Sequence, residues 1–380
     1  MIIFFANARI SVKINCWLFI TAILFLSTAI SFAQSFTNEL DQAFKTDNQN
    51  KFDQSIIHYT RALQIQSNSP RSYIAYLSRG RAYFTTKQLD KAEADFDKAI
   101  MVANNSNDLA SAYFVRGLLR SESTNQMEAL DDLSKAILLN PTLQLAYIDR
   151  AKIYVLRSCF DSAVIDCKMA ILLKPDDAEA YYWKGYAYKG NQNYVKEIEA
   201  LNKVIELATN FTGYAEVYSE KAIAYANIEN FTNAISDLSR AIELDPKNAT
   251  YFATRGYCLS CVGDFSSGII DCKKAVQIDE SSVIANNNLA WLLATAPEAK
   301  LRDGKKAVKY ATRACDLSGW KDAYCIGTLA AGSAEVGNFD EAIKWEQKCI
   351  QIGLLNEKAM AQARKELELF KEKKPYHSDN

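Results

Sequence analysis

Few residues in this 380-residue chain could do chemistry, and their spacing does not suit catalysis. Only two histidines occur, His58 and His377. A histidine-activated nucleophile or a histidine metal site therefore lacks its partners. The chain carries no glycine-rich phosphate-binding string and no H-E-x-x-H zinc motif. The neighbouring carboxylates Asp131-Asp132 and Asp176-Asp177 fall on helix faces or at helix starts, where solvation or capping accounts for them. Cysteine is more plentiful, with nine in all and eight beyond residue 33. Cys258 and Cys261 form a C-x-x-C, but it lies mid-helix without the second pair that a metal site needs. Cys167 and Cys272 occupy positions where a small apolar side chain is expected. Cys325 and Cys349 are spaced to face each other across an antiparallel helix pair, which makes them a candidate disulfide in an oxidising compartment. No catalytic residue, metal or cofactor is expected.

The elements that hold these residues follow from composition and period. Hydrophobic residues at 49% and charged residues at 23% suffice for a packed core. The 44 basic and 45 acidic residues nearly cancel, which removes the electrostatic case for nucleic acid or an anionic membrane as partner. Glycine and proline are scarce, which favours helices over turn-rich β architectures. Aligned on itself at a period of 34, the chain gives nine units: 36–69, 73–106, 110–143, 144–177, 178–211, 215–248, 249–282, 283–322 and 323–356. The eighth position of every unit is Gly or Ala, as in Gly80, Ala151 and Gly256, and the twentieth is small in all but one, as in Ala92, Ala163 and Gly268. Two helices can approach closely only at such positions. A break of a few residues between them, such as Gly190-Asn191-Gln192-Asn193, forces the pair antiparallel. Large residues at the fourth position, from Tyr76 to Phe252, fill the space between hairpins, and Pro141, Pro175 and Pro246 stop the second helices. Since no hairpin buries its apolar face alone, the units must stack. Glu197 at position twenty, and Arg120 and Ser333 at position eleven, depart from the template and are expected to loosen their hairpins.

The phrases AYFVRGLLRSESTNQMEALDDLSKAILLNP (112–141), AYIDRAKIYVLRSCFDSAVIDCKMAILLKP (146–175) and VYSEKAIAYANIENFTNAISDLSRAIELDP (217–246) vary one template, and this template resembles the tetratricopeptide repeat. The resemblance implies an all-α, right-handed superhelical solenoid of about nine antiparallel hairpins over 36–356, a capping helix over 357–373 and a tail over 374–380. It also implies that first helices line a groove that takes a protein or peptide partner. Carried onto this chain, the groove positions include Arg81, Phe84, Phe114, Lys152, Tyr182, Tyr186, Lys189, Asn227, Tyr257, Asn287 and Trp291. The relatives that clamp a chaperone's C-terminal carboxylate need Lys and Asn at two of these positions. Here those positions read Leu77/Arg81, Phe114/Leu118, Ile148/Lys152 and Tyr182/Tyr186, so that clamp is absent. The eighth unit carries extra residues around Pro297 to Gly304.

At the N-terminus, Arg9 and Lys13 precede an uncharged run from Ile14 to Phe32, and Ser31-Phe32-Ala33 ends it with small residues placed as at a signal-peptidase site. Residues 1–33 read as a signal peptide or, uncleaved, as a membrane anchor. Either way the repeats are expected outside the cytosol, periplasmic or secreted. The sequence thus predicts an exported binding scaffold, with a membrane-anchored sensor or envelope assembly factor as the alternative and an accessory subunit of an enzyme as the more distant one.

Overall fold

A computed structural model of the chain describes residues 26–68, 70–122, 125–207, 213–353 and 357–378, and among them it holds helices and no strand. It divides into two compact units, one ending at Trp183 and one starting at Lys184. In the first unit α1 (26–47) lies against α2 (Phe52–Ile65), with Tyr59 donating its hydroxyl to Asp47 at 2.7 Å. Then α3 (Tyr73–Thr85) pairs with α4 (Leu89–Val102), α5 (Ser106–Glu122) with α6 (Gln126–Leu139), and α7 (Gln144–Leu156) with α8 (Phe160–Leu173). The division falls inside α9 (Ala178–Gly190).

The second unit continues with α10 (Tyr194–Leu207), then the pair α11 (Tyr214–Asn227) and α12 (Phe231–Leu244), and the pair α13 (Ala249–Cys261) and α14 (Phe265–Ile278). Next, α15 (Val283–Thr295) packs on α16 (Gly304–Leu317) and α17 (Ala323–Glu335) on α18 (Phe339–Ile352), with α19 (Glu357–Lys371) against α18. The extra residues of the eighth unit form a short 3-10 turn, Ala299–Leu301. Arg302 pins this segment by donating to the carbonyls of Ala296 and Pro297 and to Glu335 Oε1, each at 2.8 Å.

The small positions act through close approach. A Cβ on Gly80 would lie 2.6 Å from the Phe96 ring, and one on Gly268 would lie 2.7 Å from the Gly256 carbonyl oxygen. Hairpin turns share a second device. Asn50, Lys87, Ser158, Gln192, Glu229, Gly263 and Gly337 all sit in the left-handed region at the same place in their repeats. Only two of the seven are glycine, so the turn geometry is imposed by the packed helices against a local preference.

The structure corrects the reading of Asp132. It is fully buried and accepts two bonds from Arg116, at 2.8 and 2.7 Å, and one from Arg120 at 2.9 Å. The arrangement recurs sixteen residues apart as Arg79–Asp95, Arg150–Asp166 and Arg255–Asp271, and as Lys221–Asp237 at 3.2 Å. Each cation also reaches back to the second helix of the preceding hairpin, at Thr60, Asp97, Ser134, Asn202 and Ser239. The ladder therefore ties each hairpin internally and to its neighbour with charge-assisted, largely desolvated bonds. Arg120, expected to loosen its hairpin, joins this network through Asp132 and Glu93. Glu197 is buried with Oε2 unpartnered, and burial pushes its carboxyl up to about 7, partly offset by Lys189.

Residues 1–25 of the expected signal lie outside the described residues. Helix α1 runs through Ser31-Phe32-Ala33, and Leu26, Ile30 and Phe32 on it are exposed, whereas packing begins at Phe36, Leu40 and Ala43. Among the described residues no helix is long and apolar enough to cross a membrane.

Candidate functional site

The expected groove residues fall in both units. In the first unit Arg81 is exposed, Phe84 packs half-buried on the core under Lys87, and Phe114 packs on the cluster around Leu133. Lys152 is already engaged, at 2.8 Å from Asp149 and 2.7 Å from Glu179 and near the Trp183 ring. Tyr182 meets Trp183 edge-on at 5.7 Å. In the second unit Lys189 pairs with Glu220, which Tyr186 also contacts at 3.4 Å, and Asn227 donates to the Ile223 carbonyl of its own helix.

Three of the expected residues do come together. Tyr257 on α13 and Asn287 and Trp291 on α15 line one cavity of about 780 Å³ within the second unit. This is within the usual range for a ligand-binding cleft. Helix α17 adds Tyr324 and Thr328, α18 adds Glu346 and Cys349, and α19 adds Gln362 and Glu366. The segment after α19, expected to be a plain tail, folds back over the array. The Ser378 amide donates to the Thr295 carbonyl at 2.8 Å, His377 contacts Glu335 at 2.8 Å, and Tyr376 lies over Trp291 with ring centroids 5.9 Å apart. Tyr376 and Ser378 thereby close part of the cavity wall.

The polar groups of this wall are unusual for a repeat interior. Glu346 is 1% exposed, and its Oε2 has no hydrogen-bond partner. Burial, aided by the nearby Glu366, pushes its carboxyl up to about 9. Glu366 is likewise buried and pushed up to about 7 by desolvation, against the pull of Gln362, which donates to it at 2.9 Å. Asn287 Oδ1 is also buried and unpartnered. Among the described residues no Lys, Arg or His lines the cavity. The wall of described residues therefore offers two carboxyls, hydroxyl and amide groups and aromatic faces, with no cationic side chain lining it.

Sequence reasoning missed Glu346, although a signal was there. The equivalent residue in seven other repeats is Tyr59, Phe96, Leu133, Cys167, Leu201, Leu238 or Cys272, each fully buried. Glu346 puts a carboxyl where the array elsewhere puts an apolar side chain. Gln362, Glu366 and Tyr376 carried no comparable signal, because only the folding-back of the C-terminal segment brings them here.

Cys325 and Cys349 stand as free, buried thiols, in place of the expected disulfide. The reason is register: Cys349 Sγ lies against Gly327, 3.2 Å from where its Cβ would be, and that residue points around α17 from Cys325. Burial pushes both thiols up to about 12. Cys258 is buried and Cys261 exposed, so the C-x-x-C pair points two ways.

Comparisons with known proteins agree with this architecture. Two family models match, both described as tetratricopeptide repeat, one over residues 47–108 and the other over 178–211 and 215–248. Among curated proteins, the chain is 26% identical over 252 residues to mitochondrial import receptor subunit TOM70 of Homo sapiens, covering 64% of this chain and 40% of that one. It is 23% identical over 139 residues to anaphase-promoting complex subunit 3 of Schizosaccharomyces pombe, covering 37% of this chain and 20% of that one. The chain thus spans well under half the length of these curated relatives. Among solved structures, the C-terminal part of a TPR repeat-containing protein from Cytophaga hutchinsonii aligns with a TM-score of 0.53 at 20% identity, over 66% of this chain and 99% of that one. The family models thus show tetratricopeptide repeats over residues 47–108, 178–211 and 215–248, and the solved structure shares the fold.

Proposed function

We propose that this protein is a non-catalytic scaffold that holds a polypeptide partner through the cavity of its second unit. Tetratricopeptide-repeat proteins bind protein or peptide partners in general. The observation that carries the reading here is the cavity itself, where buried acceptors on α15 and α18 have no partner among the described residues. Unsatisfied buried polar atoms are costly, and a bound ligand relieves that cost. The aromatic side chains Tyr257, Trp291 and Tyr324 supply contact area of the kind that dominates binding hot spots. A peptide library panned on the purified chain tests this: enriched peptides should lose binding to Trp291→Ala and keep it with Arg81→Ala. Equal binding to both variants would place the partner surface elsewhere.

The scaffold is exported in this reading. Arg9 and Lys13 ahead of the apolar run, the small residues at Ser31 and Ala33, and the unpacked apolar side chains of Leu26, Ile30 and Phe32 support it. N-terminal sequencing of the mature protein should start at Gln34, whereas an intact Met1 in a membrane fraction would mark an anchor.

A further inference from the structure

We propose that the cavity recognises a guanidinium group, presented as an arginine side chain by the polypeptide that the scaffold holds. The inference rests on the scaffold reading above and adds what the cavity selects for. Its charged complement is one-sided: the ionisable acids Glu346 and Glu366 line it and, among the described residues, no Lys, Arg or His does. Glu346, Glu366 and Asn287 present acceptor oxygens, and two of these atoms, Glu346 Oε2 and Asn287 Oδ1, are buried without a donor. The charge of Lys365 acts on Glu366 alone of the two carboxyls. Five inward aspartates of this protein pair with Arg or Lys, in the rungs from Arg79–Asp95 to Arg255–Asp271, whereas Glu197 and Glu346 each bury an Oε2 with no partner among the described residues. Glu346 stands out because it lines the cavity, at a position that seven other repeats fill with an apolar or aromatic side chain or a thiol.

A buried carboxyl pair without a counter-charge is costly to ionise, and an entering cation restores the balance. The aromatic rings narrow the choice of cation. Trp291 and Tyr376 lie 5.9 Å apart and tilted by 34°, beside Tyr257 and Tyr324. A guanidinium is flat, stacks on such faces and carries five N–H donors in one plane, whereas an ammonium has three donors on a point charge. Planar donors match several acceptors set around an aromatic wall. The volume of about 780 Å³ exceeds what one guanidinium fills, which leaves room for the flanking residues of a peptide.

The test uses the full chain and three probes: Ac-Ala-Arg-Ala-NH2, the same peptide with citrulline for arginine, and free arginine. Binding is followed by titration calorimetry and tryptophan fluorescence. The arginine peptide should bind at least about tenfold more tightly than the citrulline peptide, a difference that needs no protein variant. Glu346→Gln should reduce arginine-peptide binding by a similar factor, with its melting profile confirming the fold. Tighter binding of the peptide than of free arginine assigns the ligand to a polypeptide, and equal binding would overturn that source. Equal binding of arginine and citrulline peptides, or full binding by Glu346→Gln, would overturn guanidinium recognition. The scaffold reading would survive that result if library peptides still depended on Trp291, and would fail separately if they did not.

Discussion

Replacing Glu346 by Gln isolates the energetic cost of placing a carboxyl in a repeat core. In the folded protein this group titrates at about 9 against 4.5 for a free glutamate, because burial and the Glu366 carboxyl both disfavour its charge. The sign is opposite to that of an ordinary salt-bridged carboxylate. Between these two values the folded state holds a proton that the unfolded state has lost, so stability falls as pH rises. One pKa unit corresponds to about 1.4 kcal/mol, so the loss from about pH 5 to about pH 8 has a ceiling of about 4 kcal/mol for this one group. Glu366, at about 7, adds to the slope over the lower part of the same window. Glu346→Gln mimics the protonated side chain in size and removes its titration. At about pH 5 the variant should match the wild type within about 1 kcal/mol, and at about pH 8 it should be more stable by about 2–4 kcal/mol. Urea denaturation followed by tryptophan fluorescence measures this, urea being preferable because guanidinium would compete for the cavity. A wild type that gains stability between those pH values, or that runs parallel to the variant, would refute the burial argument.

Three further outcomes follow from the packing. Asp132→Ala should cost about 2–4 kcal/mol by removing the fully buried carboxylate that the half-buried Arg116 and Arg120 share, whereas Asp131→Ala next to it should change stability by less than about 0.5 kcal/mol; denaturation of both variants compares them. Gly268→Ala should destabilise the second unit by about 1–3 kcal/mol, since its Cβ would press on the Gly256 carbonyl, and hydrogen exchange should show the loss concentrated in α13 and α14. Ser158→Gly should raise stability by about 0.5–1 kcal/mol by relieving a left-handed serine at a hairpin turn, read as a higher thermal midpoint.

Much of the architecture was legible because it depends on short-range rules that repeat. Small residues at two fixed positions, large ones between hairpins and the helix stops recur every 34 residues, and each repetition removes an ambiguity that one helix would leave. The ladder from Arg79–Asp95 to Arg255–Asp271 was equally periodic. Sequence reading nevertheless took Asp132 for a solvated residue, because a charge run on a helix is usually on the wet face. Its burial follows from which side of α6 meets α5, and hydrophobic period alone does not reveal that a guanidinium already waits there.

By itself, then, the amino-acid order determined that the chain would be helical hairpins in series and where each turns, which follows from spacing along one helix and from the size of side chains that must touch. The resemblance to the tetratricopeptide repeat added that Tyr257, Asn287 and Trp291 occupy groove positions. Only the tertiary structure decided that those three residues share a cavity with Glu346, Glu366 and Tyr376, while Lys152 and Lys189 are used up in internal pairs. The physical reason is that a cavity is a property of gaps between helices distant in sequence. Whether a buried oxygen there finds a donor depends on the angle at which α19 and the segment after it return, and no local pattern encodes that angle.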